Sequence, residues 1–310
     1  MKRFHIVLAA LALALLGSPI TAQTPEKITV AFPTVDPGAE PYYAADMGFF
    51  EKAGLDVTLE PLANGGAIAS GVASGSIDIG ISNVIAIETA HEKGLPFVVV
   101  APGSDNIASL PSNVLIVAKN SPLQKAADLD GKIIATTPLH GIGDLLISAW
   151  IDKNGGDSST VKYIETRFPQ AEAVVTQGRA DASLSVEPFI TQAKADTRIF
   201  GNVFAVLPDG YLITAFFANA AWAKAHPAVI ARFAAVIRQT ADWANKNPAK
   251  SAEILAKYAK VDPDMVKQTI RSHYATTLAP KQLQATIDVA ARYKYLDGAF
   301  PATDLIFQPK

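Results

Sequence analysis

The chain of 310 residues has no cysteine. That excludes disulfides, thiolate metal sites and a lipidated N-terminal cysteine. Histidine is scarce: the five are His5, His91, His140, His226 and His273. None stands in an H-E-x-x-H or other paired spacing, so a zinc hydrolase is unsupported. No G-x-S-x-G elbow is present, and serine catalysis would need an activated nucleophile beside a base. Only 18% of residues are charged, with 27 Lys and Arg against 29 Asp and Glu. No basic block or stripe occurs, which argues against a nucleic-acid partner. No cofactor motif or metal-ligand spacing is found, so neither is expected. Beyond the N-terminus no apolar run approaches the roughly 20 residues of a membrane-spanning helix.

The start of the chain reads as a leader. Lys2, Arg3 and His5 precede an apolar run over 6–16, and Thr21-Ala22 offers small residues for cleavage before Gln23. This is the pattern of a secretory signal peptide over 1–22, which would export the mature chain. An exported chain without disulfides depends on its core, and this length suits two lobes.

One phrase occurs twice. Gly75-Ser76-Ile77-Asp78-Ile79-Gly80-Ile81-Ser82 is echoed by Gly178-Arg179-Ala180-Asp181-Ala182-Ser183-Leu184-Ser185. Both reduce to G-x-x-D-x-x-x-S after an apolar helical run. The glycine suits the left-handed position that ends a helix, and a short apolar strand follows the aspartate. A helix-turn-strand unit repeated about a hundred residues apart predicts two similar α/β lobes. Ligands of open α/β sheets collect at the carboxyl ends of strands, so Ser82 and Ser185 are expected on facing walls of one cleft.

The pattern along the chain predicts strands over 27–32, 55–62, 97–101, 114–119, 132–136, 161–166 and 211–218. Helices are predicted over 41–54, 66–75, 85–92, 144–153, 169–177 and 189–195. Four more, over 227–246, 249–258, 263–272 and 281–293, carry 3.6-residue periodicity behind Pro, Asp or Asn punctuation. The polar stretch 102–113 and the turn at Asp209-Gly210 read as two crossings between lobes. Lobe 1 is then discontinuous, 25–111 plus 211–310, and lobe 2 is 112–210.

Gly48-Phe49-Phe50-Glu51-Lys52-Ala53-Gly54-Leu55-Asp56-Val57 resembles the G-[YF]-F-x-x-x-G-L-D-V stretch of NMT1/THI5-like substrate-binding proteins, the nitrate, sulfonate and taurine-type receptors of ABC importers. The first echo, Asp128-Leu129-Asp130-Gly131-Lys132 and Glu187-Pro188-Phe189 match in order. The last is similar to the family's W-E-P-F, with Val186 where tryptophan is common. The resemblance runs over about 28–194. It implies a type II periplasmic binding fold, the periplasm as the destination of the exported chain, capture of a small solute by lobe closure, and delivery to an inner-membrane permease. A monomer is expected. An organic anion of sulfonate or carboxylate type is the first solute class; a neutral heterocycle such as a thiamine-pyrimidine precursor is the second. A periplasmic sensor or adaptor on the same fold is a further alternative.

The candidate solute contacts follow from position. Ser82 and Asn83 end a lobe-1 strand and serve either as ligand contacts or as a helix N-cap. Ser185 is their lobe-2 counterpart. Asn64-Gly65-Gly66 and Thr137-Pro138-Leu139-His140-Gly141 precede helices whose bare amides suit an anion, or else simply let the chain turn. His140 could hydrogen-bond an acidic solute. Arg167 is the one candidate for a fixed cation, with a solvent-facing role as its alternative. Glu187 would repel an anion and so is given a structural role, unless the solute carries N–H groups. Thr34 and Tyr42 follow the first strand, Tyr42 as a possible aromatic wall or as core.

Overall fold

The structure is a computed structural model that describes residues 25–62 and 65–309. The leader at 1–22 and Asn64 lie outside the described residues. In chain order the elements begin β1 (Glu26–Phe32), α1 (Glu40–Asp46), α2 (Phe49–Lys52), β2 (Leu55–Pro61), α3 (Gly65–Ser74), β3 (Ile79–Asn83), α4 (Val84–Glu92), β4 (Phe97–Pro102) and β5 (Ser104–Asp105). The middle contributes β6 (Asn113–Ala118), β7 (Ile133–Thr136), α5 (Ile142–Lys153), β8 (Lys162–Glu165), α6 (Ala171–Thr176), β9 (Ala182–Val186), α7 (Phe189–Gln192) and β10 (Thr197–Gly201). The remainder is β11 (Thr214–Asn219), α8 (Ala220–Ala225), α9 (Pro227–Lys246), α10 (Pro248–Ala259), α11 (Pro263–Val266), β12 (His273–Tyr274) and α12 (Pro280–Arg292).

Two five-stranded sheets share one topology. The first is ordered β2-β1-β3-β11-β4 and the second, read from its other edge, β8-β7-β9-β6-β10. In each, three parallel strands are followed by an antiparallel one beside the strand that carries the echo. Each echo does the same work. Gly75 (φ 79°) and Gly178 (φ 67°) end a helix in the left-handed region. Asp78 Oδ2 then accepts the Thr29 N–H at 2.7 Å, and Asp181 Oδ2 accepts the Ile133 N–H at 2.9 Å. The aspartate thus joins its own turn to the neighbouring parallel strand.

The two crossings run side by side. Asn106 N–H donates to Tyr211 C=O, Ile213 N–H to Ser104 C=O and Gly210 N–H to Asn106 C=O. Asp209 Oδ1 ties the pair by accepting Ala108 N–H at 2.8 Å. One apolar cluster is continuous across both halves of the molecule: Ile85 of α4, Leu145 of α5 and Leu283 and Ile287 of α12 all belong to it. A second cluster packs α1, α9 and α10 around Phe32, Tyr43 and Phe233.

Several expectations need correction. The helix expected over 41–54 is two, because Gly48 takes φ 64° between α1 and α2. The strand expected over 211–218 starts at Thr214, since residues before it are spent on the crossing pair. The helix expected over 263–272 stops at Val266. There Thr269 turns back, its N–H and hydroxyl both donating to Val266 C=O, and β-branched Thr269 and Ile270 have little helix preference. Strand β10 and helix α8 carry no pattern that periodicity detects.

Candidate functional site

Ser82 and Ser185 stand at the same place, the fourth residue of the five-residue strands β3 and β9. Ser82 pairs with Ala215 of β11, and Ser185 with Val114 of β6, the equivalent strand. Both are buried, and Ser185 Oγ has no hydrogen-bond partner among the described residues. A buried hydroxyl left unpaired costs about 1–3 kcal/mol. Thr136 Oγ1, at the end of β7, is buried and unpartnered as well.

Of the first-sheet candidates, Gly65 and Asn83 adjoin Ser82, while Thr34 and Tyr42 are placed elsewhere. A Cβ on Gly65 would lie 3.0 Å from Ser82 Oγ, so the start of α3 adjoins the end of β3. Asn83 caps α4, its Oδ1 accepting Ala86 N–H at 3.0 Å. Thr34 is exposed on the loop after β1. Tyr42 is inside the molecule, edge-on to Phe32 at 4.7 Å and stacked on Tyr258 at 4.5 Å.

In the second sheet Thr137 is half-buried and enters a cis peptide with Pro138. The helix start beyond it is already occupied by an acid. Asp144 Oδ2 accepts His140 N–H at 2.7 Å and Oδ1 accepts Gly141 N–H at 2.8 Å. Burial raises the Asp144 carboxyl, and these N–H bonds oppose the rise. An anionic solute at this helix start would compete with a built-in carboxylate. The His140 ring is exposed on a left-handed backbone, φ 56°. It borders a cavity of about 330 Å³ shared with Glu92 and Lys93 near the end of α4 and Lys294 and Asp297 beyond α12. Arg167 is exposed and makes no side-chain hydrogen bond or ion pair among the described residues.

Glu187 is 2% exposed. Its Oε2 accepts Thr191 N–H at 3.1 Å, and its Oε1 accepts Thr191 Oγ1 at 2.9 Å and Ile270 N–H at 3.3 Å. Burial pushes its carboxyl above the ordinary range.

Sequence reasoning missed the polar group beside it. Asp36, in the Pro-rich loop after β1, is fully buried. It pairs with Arg271 at 2.5 Å and accepts Ser272 N–H at 2.6 Å. Arg271 also donates to Tyr43 Oη at 2.5 Å, while its Nε and Nη1 have no acceptor. Asp105 pairs with His273 at 2.5 Å, and fully buried Glu40 has no partner, its carboxyl held well above the ordinary range by burial and then by Asp105. Asp36 was findable as an acid between two prolines; Arg271 was hidden inside an expected helix.

Two sheets of one topology, joined by a paired crossing, with equivalent strand ends carrying the candidate contacts, define a type II periplasmic binding fold. The NMT1/THI5-like family model matches residues 39–251, and the chain belongs to that family. A putative binding protein of Brucella abortus is 27% identical over 225 residues, 71% of this chain and 67% of that protein. The formylaminopyrimidine-binding protein of Halalkalibacterium halodurans is 26% identical over 267 residues, 82% and 79% of the two chains. Among solved structures, the periplasmic aliphatic sulphonate binding protein SsuA from Escherichia coli superposes with TM-score 0.72, at 19% identity over 92% of this chain and 93% of that one. The periplasmic nitrate-binding protein NrtA from Synechocystis PCC 6803 gives TM-score 0.75, at 18% identity over 90% and 84%. Among the described residues no helix is long and apolar enough to cross a membrane. No group of three or more His, Asp or Glu among them could hold a metal.

Proposed function

We propose that the chain is a periplasmic solute receptor that hands its ligand to an inner-membrane ABC permease, binding rather than transforming it. Its lobes are 25–111 with 211–310, and 112–210. The observation that carries this reading is the matched pair Ser82 and Ser185, at equivalent strand ends of two sheets of one topology. Closure about the paired crossings brings the two walls onto one solute.

The solute class we favour is a neutral, N–H-bearing heterocycle of pyrimidine size. Among the described residues every buried charged side chain is an acid: Asp36, Glu40, Glu88, Asp105, Asp144 and Glu187. The basic groups that face them are committed, Arg271 to Asp36 and His273 to Asp105. A desolvated anion near these carboxyls gains little, whereas a neutral ring avoids that repulsion. A second reading keeps an organic anion as the solute, with Arg271 as its partner, whose Nε and Nη1 have no acceptor among the described residues.

A thermal-shift screen of pyrimidines, sulfonates, aromatic acids and amino acids tests both readings. A ligand at a hundredfold excess over its Kd stabilises by about 2.7 kcal/mol. Pyrimidines should raise the melting temperature and sulfonates should not. A response to sulfonates or carboxylates alone would replace the heterocycle with the anion. With the responding compound in hand, Ser82→Ala and Ser185→Ala should each weaken binding by roughly 0.5–1.5 kcal/mol.

A further inference from the structure

The segment 267–272 follows α11 without regular structure, though its sequence continues a helical pattern. Its polar groups are turned to other uses. At its end, Ser272 N–H and the Arg271 guanidinium are fastened to Asp36, in the loop after β1. From that anchored base the segment reaches the second sheet's half of the molecule. Ile270 N–H donates to Glu187 Oε1 at 3.3 Å, Lys194 Nζ donates to Gln268 Oε1 at 2.9 Å, and the Ser272 and Ser112 hydroxyls meet at 3.3 Å. Asp36 adds a long bond of its own, its N–H to Glu187 C=O at 3.5 Å.

The two ends of this strap are built differently. Its anchor on Asp36 is buried, ionic and short. Its contacts to Glu187, Lys194 and Ser112 are single hydrogen bonds, two of the three at 3.3 Å and so toward the weak end of the range. Elsewhere the halves meet through the apolar cluster that joins α4, α5 and α12, with Tyr293 Oη donating to Asp152 Oδ2 at 2.8 Å beside it. Apolar packing is non-directional and tolerates small sliding, whereas hydrogen bonds of fixed geometry are made or broken. The seam therefore has a side dominated by apolar packing and a side dominated by hydrogen bonds, and the second is the one that can unlatch.

We infer that 268–272 is a clasp carried by the first-sheet half, with Glu187 as its catch, and that it sets how readily the two lobes part. Glu187 on this account is a positioning residue that controls closure, not a solute contact. The inference rests on the two-lobe receptor reading but not on the identity of the solute.

Its test needs no solute. The absence of native cysteine lets two introduced thiols carry spin labels without background. Glu60→Cys and Lys162→Cys place them at exposed positions on β2 and β8, the edge strands of the two sheets. The distance distribution is measured by pulsed electron resonance in this background, in Glu187→Gln, and in the doubly substituted Gln268→Ala/Ser272→Ala, which spares Glu187 and the backbone bonds. Each variant should raise the population of a longer distance about fivefold, the equilibrium effect of one ordinary hydrogen bond. A purely structural role for Glu187 predicts a lower melting temperature with the distribution unmoved. Distributions identical to the parent in both variants would overturn the clasp while leaving the solute screen untouched.

Discussion

Glu88 of α4 is fully buried, and its Oε1 lies 2.6 Å from Thr286 Oγ1 on α12. That hydroxyl is also 2.7 Å from Leu283 C=O. A threonine has one proton, so it cannot donate to both acceptors. A protonated Glu88 resolves the conflict by donating to Thr286, which then donates to Leu283. Burial agrees, pushing the carboxyl from 4.5 up to about 8. The native state therefore holds a proton that the unfolded chain releases between these values. Stability is full below the unfolded pKa and falls as pH rises through the native one. At about 1.4 kcal/mol per pH unit the ceiling is roughly 4–5 kcal/mol. Glu88→Gln keeps the shape and a permanent N–H donor, so it should lose this slope and be more stable than the parent at about pH 8. Urea midpoints at about pH 5 and pH 8 for both proteins decide it. Other buried acids contribute equally to both, so the difference isolates Glu88. If the variant keeps the parent's slope, the carboxyl is ionised in the native state and the reasoning fails.

Removing the Arg271 side chain takes away the buried ion-pair partner of Asp36; Arg271→Met should cost about 3–5 kcal/mol in chemical denaturation, and a loss below about 1 kcal/mol would show that the pair does not hold the fold. Gly143→Ala would bring a Cβ to 2.5 Å from Thr136 Oγ1 and 2.6 Å from Leu184 Cδ2, so it should destabilise by about 1–3 kcal/mol through overpacking, read as a lowered urea midpoint. Asp78→Ala and Asp181→Ala should behave alike, each losing about 1–3 kcal/mol by orphaning a strand N–H; unequal effects would break the equivalence of the two echoes. X-ray scattering at saturation with a compound from the solute screen should show a smaller radius of gyration, and unchanged dimensions would count against closure.

The sheets were legible because their signals are local. The echo encodes a helix end, a turn and a strand within eight residues, and its aspartate works on the strand beside it. The helix break at Gly48 was equally local but ambiguous, since glycine within a periodic run is also tolerated. The clasp was illegible for the opposite reason. Nothing near 270 in sequence tells that Glu187 and Asp36 will claim its amides, and the hydrophobic spacing there fits a helix equally well. Site chemistry divided the same way. Asn83 as an N-cap follows from its neighbours, while the acid already seated at the start of α5 depends on Asp144 turning back.

The place of β11 in the first sheet fixes an order of events. It lies between β3 and β4, which do not pair with each other, and it comes more than a hundred residues after them in the chain. The second sheet, by contrast, draws all its strands from 113–201. An emerging chain can thus finish its middle before its beginning, reversing the usual N-terminal-first sequence. Until Thr214–Asn219 arrives, the inner edges of β3 and β4 stay open to any passing strand. Pulse-labelled hydrogen exchange during refolding should protect the β6, β7 and β9 amides before those of β3 and β4. The protein's most exposed moment is then not its unfolded state but the interval in which half of it is complete.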